Sequence, residues 1–189
     1  MTTWLGIDVG GPRKRFDVAL IDERAVRRLD RMGCEDVVAL VDAERPRVVG
    51  IDSPRSCAPP GRTSRADERA LARSICGIRW TPDRARLDGS RYYAWIVEGL
   101  RLYAALAGRE DVIEVFPTAS WTRWLGPRGS EPRAAWTRRG LATLGLAGIP
   151  PRTNQDQRDA IAAAVTARLH SHRATEAFGE IVVPHHAPK

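Results

Sequence analysis

Residues 4–10 read WLGIDVG and residues 47–54 read RVVGIDSP. Each is a short apolar run closed by one acid, Asp8 in the first and Asp52 in the second, and each is soon broken, by Gly10-Gly11-Pro12 and by Pro54. The residue before a proline is driven to extended geometry, so the second run ends as a strand near Ser53. If the first strand is central in a sheet and the second lies beside it, the two carboxylates come within a few ångströms of each other.

Residues 16–21 (FDVALI) read as a second strand, and residues 24–30 as a third that closes a meander after the turn Asp22-Glu23. A helix over 35–43 stops before Pro46, and 55–64 is a loop rich in Pro, Gly and Ser. Residues 65–76 are helical, and 92–107 form an amphipathic helix with Trp95, Ile96, Gly99, Leu100, Tyr103 and Leu106 at helical spacing. Residues 112–116 are a strand halted by Pro117, and 119–125 and 132–146 are helices. Thr153 or Asn154 caps a last helix to about residue 170, and 179–183 form a short final strand. The order predicts one α/β domain over 1–184, with a mixed five-stranded sheet, helices on both faces, and helical insertions at about 54–108 and 117–150. Residues 185–189 are expected to be a frayed tail.

Further acids sit where they can join Asp8 and Asp52. Glu114 lies within the 112–116 strand, and Asp156 and Asp159 are three apart at the start of the last helix, on one face. Buried carboxylates that converge repel one another and call for a neutralising cation. Two Mg²⁺ or Mn²⁺ ions about 4 Å apart would answer that demand and suit phosphodiester hydrolysis. In this scheme Asp8 bridges both ions, Asp52 and Asp159 each bind one, and Glu114 or Asp156 completes the set. Asp8, Asp52, Glu114 and Asp159 are thus the candidate catalytic residues, and all five acids are candidate metal ligands.

The formal net charge is +7, and its distribution is uneven. Residues 55–91 hold nine arginines against four acids, and residues 118–140 hold five against one. A polyanionic partner, DNA or RNA, fits this excess. Arg62, Arg65, Arg69, Arg138 and Arg139 are the candidate phosphate contacts, Arg65 and Arg69 sharing a helix face. A codon preference for arginine is the competing origin, since Lys occurs only twice. Trp121, Trp124 and Trp136 can stack on bases or pack into the core. Three scattered cysteines without C-x-x-C spacing argue against a disulfide framework and for a cytoplasmic protein. No stretch is apolar for long enough to span a bilayer.

Gly6-Ile7-Asp8, Gly50-Ile51-Asp52-Ser53-Pro54, Glu114-Val115-Phe116-Pro117 and Asp156-x-x-Asp159-Ala160-Ile161 occur in an order and spacing that resembles the predicted RNase H-like nuclease family known as domain of unknown function 429. The similarity runs from Leu5 to Pro184 and implies an RNase H-like fold, the same acids as metal ligands, and a metal-dependent nuclease acting on nucleic acid. The Asp156–Ala160 segment also resembles the last helix of Holliday-junction resolvases. Two departures stand out. Gln155 occupies a position where family members often carry His, and Ala135-Trp136-Thr137-Arg138 lacks the family's lysine, leaving Arg138 or Arg139 to orient a phosphate. Two other readings compete. One is a catalytically silent nucleic-acid-binding or protein-interaction module of the same fold. The other is an actin-like phosphotransferase, whose first phosphate loop Gly6–Gly11 is similar to, although Pro12 and Arg13 stand where a hydroxyl residue is needed.

Overall fold

The computed structural model describes residues 1–109 and 111–186. The elements follow in the order β1 (Trp4–Asp8), β2 (Phe16–Ile21), β3 (Val26–Met32), α1 (Cys34–Glu44), β4 (Val48–Asp52), α2 (Ala66–Ser74), α3 (Arg84–Leu87), α4 (Ala94–Ala105), β5 (Asp111–Val115), α5 (Pro117–Leu125), α6 (Arg133–Thr143), α7 (Gln155–Ser171), β6 (Thr175–Phe178) and β7 (Ile181–Pro184). They build an α/β fold around one mixed sheet of seven strands, in the order β3-β2-β1-β4-β5-β7-β6. The expected five strands are corrected to seven. The short final strand expected at 179–183 is β7, which joins the sheet parallel to β5, and β6, which was not expected, pairs antiparallel with it as a terminal hairpin. The four-residue TEAF strand has no alternation long enough to announce itself, and it is turned back at Gly179, whose φ of +62° suits glycine. Of the expected frayed tail, residues 187–189 lie outside the described residues. His185 still donates its backbone N–H to the Ala174 carbonyl.

Local chemistry sets the other boundaries. β3 starts later than the expected residue 24 because Asp22 makes a turn there. Its Oδ1 accepts the backbone N–H groups of Arg24 and Ala25, each at 2.8 Å. Asn154, not Thr153, caps α7: its side chain accepts from the Gln157 N–H while Gln157 reaches back to the Asn154 N–H. Pro117 stands in the first turn of α5, where a missing N–H costs nothing. No helix among the described residues is long and apolar enough to cross a membrane.

Strand alternation sorts the core into two layers. Trp4, Val48, Ile113 and Val115 pack on one face with α5, α6 and α7. Leu5, Ile7, Val49 and Ile51 pack on the other with Val37, Leu40 and Val41 of α1 and Leu102 and Leu106 of α4. Trp121, Trp124 and Trp136 belong to the first layer, at 9% exposure or less, so packing and not base stacking accounts for them.

α7 is buried on every side through Arg158–Arg168. Its seat on the sheet depends on small residues. A Cβ at Gly6 would overlap the Ala160 carbonyl and lie 2.8 Å from the Ala164 Cα, and one at Gly50 would lie 2.6 Å from the Ala163 oxygen. Two glycines facing an alanine run therefore let helix backbone rest almost directly on β1 and β4. This close approach carries the N-terminal turn of α7 to the strand ends that hold Asp8 and Asp52.

Candidate active site

β1 and β4 are parallel neighbours in register, Asp8 opposite Asp52. Counting back by twos from each gives Gly6 and Trp4, or Gly50 and Val48, all on the α7 face. β2 adds Asp17, the antiparallel partner of Asp8. Three aspartates thus form a row across adjacent strands, and α7 lays Asp159 and Asp156 over the row. A cleft of about 650 Å³ opens there, lined by the carboxylates Asp8, Asp52, Glu68, Glu114, Asp156 and Asp159 and by the cations Lys14, Arg79 and Arg133, with Trp95 at its wall.

The electrostatics of the row are unbalanced. Burial, and then the charges of Asp159 and Asp156, push the Asp8 pKa up to about 8. Asp52 is raised well above the ordinary carboxylate range by burial, by the Asp8 charge and by a hydrogen bond with Asp8. Two adjacent carboxyls of this kind resist ionising together, because that would place like charges side by side in a poorly solvated site. Asp159 is 2% exposed and held from three directions. Trp121 Nε1 donates to it at 2.9 Å, Gln155 Nε2 at 3.0 Å and Arg133 at 2.8 Å. Burial still raises its pKa over these partners. Asp156 pairs with Lys14 Nζ at 2.6 Å. Asp17 takes a forked contact from Arg31, at 3.0 and 3.2 Å.

Glu114 also lines the cleft, but it reaches it from the other side of the sheet and already has a cation of its own. In the β4–β5 register it stands opposite Ile51, one residue before Asp52, and so on the other face of the sheet. Both of its oxygens are taken by the Arg65 guanidinium, and Oε2 also accepts the Arg55 backbone N–H at 2.8 Å. Arg65 further contacts Glu68 at 3.2 Å and Glu180 at 3.2 Å. At 3% exposure Arg65 is the centre of a buried ion cluster, so its expected surface contact with phosphate is corrected. It caps α2 rather than sharing a helix face with Arg69.

The remaining candidate arginines are exposed but line no part of this cleft. Arg69 donates to the Ser64 carbonyl, Arg138 to the Ala134 carbonyl and Arg139 to Glu131. Arg62 is exposed. The cations that reach the cleft are Lys14, Arg79 and Arg133. The sequence reading missed Lys14, Asp17, Arg133 and Gln155 as site residues. Lys14 carried one signal: apart from the terminal Lys189 it is the sole lysine in an arginine-rich chain. A turn places it, with the Lys14 N–H donating to the Gly11 carbonyl at 2.8 Å and Arg15 at a φ of 62°.

As the side chains stand, no group of three or more His, Cys, Asp or Glu among the described residues is disposed to hold a metal ion. The donors still match a hard cation. All are carboxylates, and burial beside like charges favours the protonated forms of Asp8 and Asp52, a demand for positive charge that a divalent ion also meets.

No family model matches the chain, and no curated protein sequence matches it. Solved structures of similar shape include T. thermophilus RuvC in complex with a Holliday junction substrate, at 16% identity and a TM-score of 0.47 over 92% of this chain and 96% of that one. The Thermus thermophilus RuvC structure gives 15% identity and a TM-score of 0.47 over 91% and 96%. No residue role follows from a likeness of that size.

Proposed function

We propose that the protein is a metal-dependent nuclease of the RNase H-like fold that hydrolyses phosphodiester bonds of nucleic acid with Mg²⁺ or Mn²⁺. The observation that carries this reading is the in-register pair Asp8 and Asp52 beneath Asp159, in a cleft where carboxylates outnumber cations. The meander β3-β2-β1 followed by parallel β4 and β5 is the sheet core of that fold. Asp8, Asp52 and Asp159 would hold the metal, with Asp156 at the margin. A bound divalent ion supplies Lewis acidity toward a phosphodiester and lowers the pKa of water.

The chain's own residues do the rest. Trp121 and Gln155 fix the rotamer of Asp159 at the edge of the row, and Arg133 would have to release it for a metal to bind. Arg133 and Lys14, 48% and 50% exposed, are placed to meet phosphate oxygens at the cleft mouth while each remains near its carboxylate. Incubating labelled oligonucleotides with Mn²⁺, with EDTA, and with the Asp8→Asn protein tests the reading. Cleavage that needs Mn²⁺ and Asp8 is the expected result, and no cleavage by the wild type under any divalent ion would remove it.

One observation favours a second reading, the silent module. Asp159 and Asp156 already have internal cations, Arg133 and Lys14. A melting temperature indifferent to millimolar Mn²⁺ would select that reading, because a ion bound only by the folded state must raise it.

A further inference from the structure

Two residues that line the cleft, Arg79 and Trp95, bracket a stretch of unusual composition. Residues 79–95 read RWTPDRARLDGSRYYAW, with four arginines before Tyr92 and four aromatic residues in all. Trp80 is 44% exposed and Tyr92 63%, and with Met1 they are the large hydrophobic side chains left in solvent among the described residues. Both sit beside the cleft in the chain. Arg79 lines the cleft just before Trp80, and Trp95 lines it one helical turn after Tyr92. Arg86 and Arg91 are exposed, Arg84 pairs with Asp88 on the surface, and Asp83 is buried as the cap of α3.

The exposure of Trp80 is not that of a loose loop. The next residue, Thr81, donates its N–H to both oxygens of buried Glu68 at 3.0 Å. The Pro82 carbonyl accepts from Ala58, and Asp83 takes the Gly61 N–H at 2.6 Å. Leu87 is fully buried. A backbone pinned at three successive residues thus holds a bare indole in water, against the usual burial of such a side chain. Flat aromatic faces interleaved with guanidinium groups are what a strand with unstacked bases requires. The bases stack while the arginines follow the phosphates. A duplex keeps its bases stacked inside and has no use for the aromatic faces.

We propose that the 79–95 stretch is a binding surface for unpaired nucleotides, with Trp80 and Tyr92 as stacking platforms and Arg79, Arg86 and Arg91 along the phosphates. It would feed a single-stranded segment into the carboxylate cleft. This names the substrate class for the nuclease reading and rests on it for the cleft's role, but the binding itself needs no metal.

The test is therefore made in EDTA. Binding of the full chain to a 20-nucleotide oligothymidine, to an abasic oligonucleotide of the same length and to a duplex is measured at one salt concentration. Oligothymidine should bind at least tenfold tighter than the abasic strand, and tighter than the duplex. Trp80→Ala with Tyr92→Ala should weaken oligothymidine about 100-fold, near tenfold for each base platform, and leave the abasic strand unchanged. Both side chains are exposed, and an unchanged melting temperature would confirm that the variant folds. Equal binding of the abasic strand, preference for the duplex, or wild-type affinity in the double variant would each overturn the proposal. Cleavage with Mn²⁺ is read separately. Strand binding without cleavage would remove the nuclease reading and keep the binding surface, and cleavage without base-dependent binding would do the reverse.

Discussion

Two groups of carboxylates sit at the same end of one sheet, on opposite faces, and they are solved differently. Around Glu114 the protein supplies its own cation: Arg65 is buried and holds both oxygens, with Glu68 and Glu180 at its flanks. Around Asp8 and Asp52 no cation among the described residues forms an ion pair with either acid, and burial beside like charges favours their protonated forms. The first group borders the cleft through Glu114 and Glu68 but already carries its countercharge in Arg65. The second is short of positive charge and opens on the same cleft, which is the condition for taking a cation from solution. A difference of one residue in register decides which group an acid joins, since Glu114 stands opposite Ile51 and not Asp52.

The largest effect should come from breaking the first group. Arg65→Met strands two buried carboxylates, and removing one partner of a buried pair costs about 3–5 kcal/mol. For a chain of this size the melting temperature should fall by about 10 °C. Adding Glu114→Leu should recover part of the loss. A fall of only a degree or two in calorimetry would mean that the two groups do not differ as argued.

Next comes the seat that assembles the open group. Gly6→Ala places a methyl against the Ala160 carbonyl and lifts α7 from β1. Overpacking of this kind costs about 1–3 kcal/mol. It should also weaken Mn²⁺ binding, because Asp159 moves away from Asp8 while both carboxylates remain. Unchanged Mn²⁺ affinity in a protein destabilised as expected would separate the seat from the site.

Much of this was legible in the sequence. Two strands ending in Asp and a final helix opening on Asp-x-x-Asp led to Asp8, Asp52 and Asp159, because a strand end is a local signal. The side from which Glu114 reaches the cleft was not legible, because a face depends on register with a neighbour, and WLGID, RVVGID and DVIEV do not state their offset. Arg65 was misread for a related reason. Its three acidic partners lie 3, 49 and 115 residues away, and no local pattern distinguishes it from the surface arginines around it. Asp17 was hidden within FDVALI. That strand is buried throughout, so its acid does not mark a solvent face.

The raised Asp8 pKa in the open group gives a pH test. With a pKa of about 8 folded and an ordinary carboxylate value unfolded, Asp8 binds a proton in the folded state that the unfolded chain has released. Stability should therefore fall as pH rises from about 4 to 8 and level off above. Asp8→Asn removes the Asp8 share of that slope, leaving the part due to buried Asp52 and Asp159, and should stabilise the metal-free protein by about 1–2 kcal/mol at pH 9, with little effect near pH 4. Denaturant titrations at the two pH values measure it. A stability that rises over this window in the wild type would show that the pair is ionised and otherwise neutralised.

The smallest effect on stability, and the sharpest on the comparison, belongs to Lys14. Its bond to Asp156 is half exposed, so Lys14→Ala should change stability by less than about 1 kcal/mol. Burial works to lower the Lys14 pKa, yet Asp156 and Asp8 hold it above its ordinary value, so the ammonium stays charged across neutral pH. A charged group there opposes any cation entering beside Asp156. Lys14→Ala should therefore tighten Mn²⁺ binding several-fold in calorimetric titration, whereas Lys14→Arg should not. If Lys14 also meets the phosphate, the alanine variant should cleave more slowly despite binding metal better, and this opposite movement of two readouts is hard to obtain from a merely structural residue. Identical Mn²⁺ titrations for wild type and Lys14→Ala would place Asp156 outside the metal site and confine the open group to Asp8, Asp52 and Asp159.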